Sequence, residues 1–160
     1  RINMDLPNNS DILVIAPHPD DEILGLGGTI KKLSDRGHRI TKLIVSGHLP
    51  PLYEEEVFQE HKHQALEAHK IIGAHESIFL EIPATLVKDQ TVAELNGKIF
   101  EVVKNTQPKA ISIIKPSPSL SGASMIQIPE KPVKMISHLK IEGLSLRNMM
   151  AIKLIAAGLR

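Results

Sequence analysis

The sequence predicts an α/β fold in which a parallel sheet is flanked by helices. Three observations predict it. Short apolar runs such as Ile12-Leu13-Val14-Ile15-Ala16 alternate with longer segments whose apolar residues recur at helical spacing. The first run is apolar throughout, as expected of a strand buried on both faces in a parallel sheet. Strand, helix and strand also follow one another within residues 11–46, which describes a βαβ unit with parallel strands.

Residues 1–10 are polar and form a lead-in, and Asp11 to Ala16 is the first strand. Asp20 or Asp21 is placed to cap a helix, and acids suit its positive amino end. That helix runs through Ile23, Leu24, Leu26, Ile30 and Leu33 to about Arg36, with Gly37 as its stop. It contains Gly25, Gly27 and Gly28, each costing about 1 kcal/mol relative to alanine, so close helix–sheet approach is the expected compensation. Arg39 to Ser46 is the second strand, and Gly47 to Pro51 is a loop at the edge of the sheet shared with His18. Tyr53 to Ile72 forms a long helix closed by Gly73, and Ser77 to Ile82 the third strand. Pro83 to Gln90 reads as a loop, Thr91 to Thr106 as a helix and Ala110 to Ile114 as the fourth strand. Beyond Lys115 the alternation fails. Residues 115–122 and 129–134 have loop composition, Met135 to Ile141 is ambiguous between strand and helix, and Ile141 to Leu159 suits an amphipathic helix. The whole chain, 1–160, is expected to be one domain, regular over about 10–115 and irregular over 116–160.

Composition excludes several classes. The formal net charge is +1, which makes no electrostatic case for nucleic acid or a charged membrane surface. No apolar run has the length of a membrane span, and residues 1–5 lack the apolar core of a secretory signal. The expected setting is therefore soluble and cytoplasmic. Arg1 stands where a gene product would begin with Met, in keeping with a longer product. There is no cysteine, so a metal must be held by His, Asp or Glu, and the chain has 8 histidines.

The chemistry concentrates in Pro17-His18-Pro19-Asp20-Asp21-Glu22. An imidazole and three carboxylates stand where a buried strand hands over to a helix, the place where open α/β sheets bind ligands. A divalent metal such as zinc takes imidazole and carboxylate ligands, and a further carboxylate can serve as general base. His18 and one aspartate suit the ligands, leaving the other aspartate as base. A cap alone needs one Asp, not this cluster. A dinucleotide site is a poor fit, because the turn carries acids and Gly25-Leu26-Gly27-Gly28 lies inside the helix. His61, His63 and His69 lie on a helix rich in Glu and Lys and read as a solvated face. His48 reads as a polar loop residue, His38 as solvent-exposed, and His75 as part of a turn.

The motif closely resembles the A-H-P-D-D-E signature of the PIG-L/LmbE-like de-N-acetylase family. Val45-Ser46-Gly47, Ala68-His69-Lys70-Ile71-Ile72-Gly73-Ala74, Phe79-Leu80-Glu81-Ile82-Pro83-Ala84 and Gln107-Pro108 are similar to the family as well, so the resemblance covers roughly residues 10–115. It implies a Rossmann-like fold and zinc-dependent removal of an acetyl group from an N-acetylated amino sugar, such as an N-acetylglucosaminyl compound, or a related small molecule. By position, His18 and Asp21 would be metal ligands and Asp20 the general base. The family's third ligand comes from an H-x-D-H type motif after the fourth strand. Here that place holds Lys115-Pro116-Ser117-Pro118-Ser119-Leu120-Ser121-Gly122, without histidine. Three explanations stand open: a segment absent from this sequence, a last third altered in sequence, or loss of the motif, and the last gives the alternative reading of an inactive family member acting as a binding or assembly module. His138 has no positional support as a substitute ligand, and the apolar carboxyl-terminal segment is compatible with a homo-oligomer.

Overall fold

A computed structural model describes residues 6–114 and the pair 134–135. Five strands form one parallel sheet: β1 (Asp11–Ala16), β2 (Arg39–Gly47), β3 (Glu76–Pro83), β4 (Ala110–Ile113) and β5 (Lys134–Met135). Their order is β3-β2-β1-β4-β5. Among the described residues three α-helices connect β1 through β4, namely α1 (Asp21–Ser34), α2 (Glu55–Ile71) and α3 (Val92–Thr106). The α/β prediction therefore holds, and its physical basis is visible in β1. Ile12 pairs with Ile40 on one side and Ala110 on the other, and Ile12 to Ala16 are almost wholly withdrawn from water. Full burial of an aliphatic side chain is worth about 1.5–3 kcal/mol, so this central strand anchors the domain.

Alternation along the strands divides the core. Leu13, Ile15, Leu43, Val45 and Ile111 face α3 through Leu95, Ile99, Val102 and Val103. Ile12, Val14, Ile40 and Ala110 face the other way and pack with Ile30 and Leu33 of α1. Among the described residues no helix is long and apolar enough to cross a membrane.

Most element ends fall within two residues of expectation, and the helix stops are those expected. Gly37 (φ 85°) and Gly73 (φ 75°) adopt the left-handed conformation that glycine enters without a Cβ penalty. Three expectations need correction. The presumed loop after β3 contains a 3₁₀ helix, Ala84–Asp89, too short to show a period, which buries Val87. Lys134, assigned to loop, belongs with Met135 to β5, where two paired residues leave no alternation to detect. Close helix–sheet approach applies to Gly25, where a Cβ would sit 3.4 Å from Ile114, but a Cβ on Gly28 would meet nothing within 4 Å. The expected loops over 115–122 and most of 129–134, the amphipathic helix at 141–159 and His138 lie outside the described residues.

Chain order sets where a ligand can enter. From β1 the chain builds outward through β2 and β3, then returns to the opposite side of β1 with β4. The crevice at the carboxyl ends of β1 and β4 is the topological switch point, and His18 follows the end of β1 directly.

Candidate active site

The end of β1 is pinned by its neighbour. The Pro17 carbonyl accepts from both the Ser46 amide (2.9 Å) and the Ser46 hydroxyl (2.8 Å). Beyond it the chain folds back on itself. The His18 amide donates to Asp21 Oδ2 at 3.1 Å, and His18 Nδ1 lies 3.2 Å from the same oxygen. Two ligands of a tetrahedral zinc, each about 2.0–2.2 Å from the metal, would lie about 3.3–3.6 Å apart, so this hydrogen-bonded pair is slightly closer than two such ligands and would have to part a little to hold a metal. Both side chains keep partial access to solvent, at 27% and 18% exposure. Among the described residues no third His, Asp or Glu joins them in a metal-holding group.

Asp20 occupies the N-cap position of α1, yet its side chain makes no capping hydrogen bond. Its backbone stands at φ 155°, ψ −28°, an unusual conformation for a residue with a side chain. The carboxylate is therefore free of the structural duty that a plain capping role assigns to it. Partial withdrawal from water raises its pKa above the ordinary value, the charges of Asp21 and Glu22 add to this, and His18 opposes them. A carboxylate whose proton affinity is raised is a better base near neutral pH.

Glu22, the last acid of the motif, is completely buried. His69 Nε2 donates to Glu22 Oε1, and His69 Nδ1 lies 2.6 Å from Ser77 Oγ. His69 was expected on a solvated face, but it is 2% exposed and stacks near Phe79. A signal for this exists in the sequence. Phe58, Ala65 and His69 follow one another at i, i+7 and i+11, which is the core stripe of α2. The Glu- and Lys-rich surroundings of His69 obscure it.

Lys42 also lies on this inner face, fully buried, with no hydrogen-bond partner for Nζ among the described residues. Burial lowers its pKa from 10.5 to about 8, against the pull of Glu22. Above about pH 8 the folded chain releases this proton, while the unfolded chain holds it until about 10.5. The unfolded state thus binds more protons in that window, and this site's contribution to stability rises with pH. The expected rise is about 3 kcal/mol across the window. Urea unfolding at several pH values should show it, and Lys42→Met should flatten it. Equal pH slopes in the two proteins would refute the assignment.

A pair of histidines meets just beyond the end of β2. His48 Nδ1 and His61 Nδ1 lie 3.1 Å apart, and the Tyr53 ring meets His48 edge-on at 4.5 Å between centroids. Burial lowers the pKa of His48, and the neighbouring His61 and His18 lower it further. His48 and His61 are half-buried and in contact, where the sequence suggested two independent polar positions. His63 is exposed as expected, whereas His38 is half-buried and accepts a hydrogen bond from the Ser10 amide.

Comparison with known proteins bears on this geometry. Over 46 residues the chain is 46% identical to a diacetylchitobiose deacetylase of Thermococcus kodakarensis, a match covering 29% of this chain and 17% of that protein. Over 104 residues it is 26% identical to YaiS, an uncharacterized deacetylase of Escherichia coli, covering 65% and 54%. The fold is similar to the solved N,N'-diacetylchitobiose deacetylase from Pyrococcus horikoshii, with a TM-score of 0.57 and 25% identity over 68% of this chain and 43% of that one. The matches thus span about half or less of each relative. The profile of PIG-L, the GlcNAc-PI de-N-acetylase family, matches residues 13–122, a stretch that carries the His18–Asp21 pair, Asp20 and the buried Glu22–His69 contact, and the chain belongs to that family.

Proposed function

We propose that the chain is the scaffold of a zinc-dependent hydrolase that removes the acetyl group from an N-acetylated amino sugar or related small molecule. The observation that carries this reading is an uncapped, exposed Asp20 carboxylate beside the converging His18 and Asp21 side chains. Names of relatives, which include diacetylchitobiose deacetylase, support the substrate class. His18 and Asp21 would hold the metal, which when bound would supply positive charge to polarise the amide carbonyl and make water more acidic. Asp20 takes the proton of the attacking water as its oxygen bonds to the acetyl carbon. The carbon–nitrogen bond then breaks, the proton passes to the leaving nitrogen, and acetate and the free amine depart. The half-buried His48–His61 pair and Tyr53 offer polar and aromatic contacts to a sugar. A cytoplasmic setting, zinc as the cofactor and a single domain over 1–160 belong to the same proposal.

The test combines metal analysis with acetate release from N-acetylglucosaminyl compounds, N,N'-diacetylchitobiose among them, with zinc added. The chain should bind zinc and release acetate. His18→Ala should weaken zinc binding at least 10-fold and abolish release, because a ligand is lost. A chain that neither binds zinc nor releases acetate would sink the proposal. The second reading, an inactive binding module, is favoured by residues 115–122, which contain no histidine. Binding of the sugar without acetate release would support it.

A further inference from the structure

The buried Glu22 raises a physical question. A carboxylate with no access to water loses its hydration, and a well-packed apolar residue is often at least as stable in its place. Its two oxygens point to different parts of the molecule. Oε1 accepts from His69 Nε2, and Oε2 accepts from the Asp20 amide at 3.3 Å. His69 is held in turn by Ser77 at the start of β3. The Asp20 amide also reaches the His18 carbonyl at 3.1 Å. An unbroken chain of contacts therefore runs from β3 and α2 to the backbone of the turn that carries Asp20. That turn needs support, since Asp20 adopts a backbone conformation that persists only where its surroundings hold it.

We propose that Ser77, His69 and Glu22 form a positioning relay, buried at His69 and Glu22, that holds the Asp20–Asp21 turn in the geometry the site requires. His69 and Ser77 touch neither metal nor substrate; they act through Glu22, and Glu22 acts through the Asp20 amide. The helix α2, whose outer face is solvated, thereby supports that turn through Glu22, which lies 47 residues from His69 in sequence. The role in the site rests on the reading of His18, Asp20 and Asp21 given above; the role in holding the turn does not.

Two readouts on the full chain separate these. The first is hydrogen exchange of the Asp20 amide, followed by NMR. Glu22→Gln keeps the shape of the side chain but replaces one acceptor oxygen with a donor. His69→Leu removes the donor that orients Glu22, whereas His69→Gln can restore a donor near the Nε2 position. Asp20 exchange should accelerate at least 10-fold in Glu22→Gln and His69→Leu and return toward the original rate in His69→Gln. Val102→Ala, a core change on the opposite face of the sheet, controls for general loss of stability and should leave Asp20 exchange within about 3-fold of the original. Acceleration of equal size in all four variants, or in none, would overturn the relay. The second readout is zinc affinity by chelator competition, expected to fall about 10-fold in Glu22→Gln and to stay unchanged in Val102→Ala. If the unsubstituted chain binds no zinc, the proposed function fails, and the exchange rates still decide the relay.

Discussion

Asp20→Asn should lower acetate release at least 100-fold while leaving zinc content unchanged. Asparagine has nearly the same shape and cannot take a proton. General-base catalysis contributes roughly 10²–10⁴-fold, so its loss is large even if every other contact survives. Nothing structural compensates or confuses the result. Asp20 makes no side-chain cap bond that the substitution would remove, and asparagine tolerates positive φ better than most residues. Unfolding stability should stay within about 0.5 kcal/mol, as for surface positions without special contacts. The pH dependence adds a sign. With Asp20 as the proposed base, its raised pKa means that acid would inactivate it by protonation, beginning at a higher pH than for an ordinary aspartate. Activity of the unsubstituted chain should therefore fall as pH drops through that value, and this acid limb should vanish from the residual activity of Asp20→Asn. An Asp20→Asn protein that stays fully active, or one that loses zinc along with activity, would remove Asp20 from the role of base.

The second large effect is on stability. His69→Leu should destabilise the fold by about 3–5 kcal/mol, the usual result of leaving a buried charge without its partner. Glu22 would keep its weaker contact with the Asp20 amide and lose the donor on Oε1. Lys42 attracts Glu22 through its charge, but among the described residues its Nζ forms no hydrogen bond, so it does not replace the donor that His69 supplies. Ser77 is only half-buried, and its hydroxyl can turn to water at little cost. Against a total stability of about 5–15 kcal/mol, such a loss removes a large share of the margin. The diagnostic result is the double variant. Glu22→Leu with His69→Leu removes the stranded carboxylate and should recover part of the loss, because two apolar groups are tolerated better than one unpaired ion, the remainder being withheld as Lys42 then lacks the pull of Glu22. Urea unfolding of the singles and the double gives the coupling directly. A double variant as unstable as His69→Leu alone would show that packing around His69, and not the Glu22 charge, sets the cost.

The legible part of this protein and its hidden part differ for identifiable reasons. β1 was readable because Ile12 to Ala16 are apolar without interruption, and a segment buried on both faces must be so. The helix stops at Gly37 and Gly73 were readable because few other residues enter the left-handed conformation without strain. The cluster from His18 to Glu22 was readable because its members are consecutive and chemically unusual at a strand end. His69 is hard to place from sequence because its immediate neighbours are charged, and local composition hides its position on the stripe shared with Phe58 and Ala65. The His48–His61 contact was missed because it joins a loop to a helix 13 residues later, a pairing with no periodic signature. Lys134 reads as loop and Met135 stays open between strand and helix because two paired residues carry no alternation.

By itself the sequence determined the parallel α/β architecture, the strand at its centre and the resemblance to PIG-L proteins, all of which depend on local pattern or on adjacent residues. It also placed His18, Asp20 and Asp21 together, since residues so close in the chain cannot be far apart in space. Only the tertiary structure decided where each acid sits and what it touches. It released Asp20 from capping, turned Asp21 back onto His18 and drew Glu22 into the core to meet His69. Those choices depend on which groups the folded chain removes from water and which partners it brings them from distant segments. The six residues Pro17 to Glu22 thus divide between an open site and the buried support beneath it.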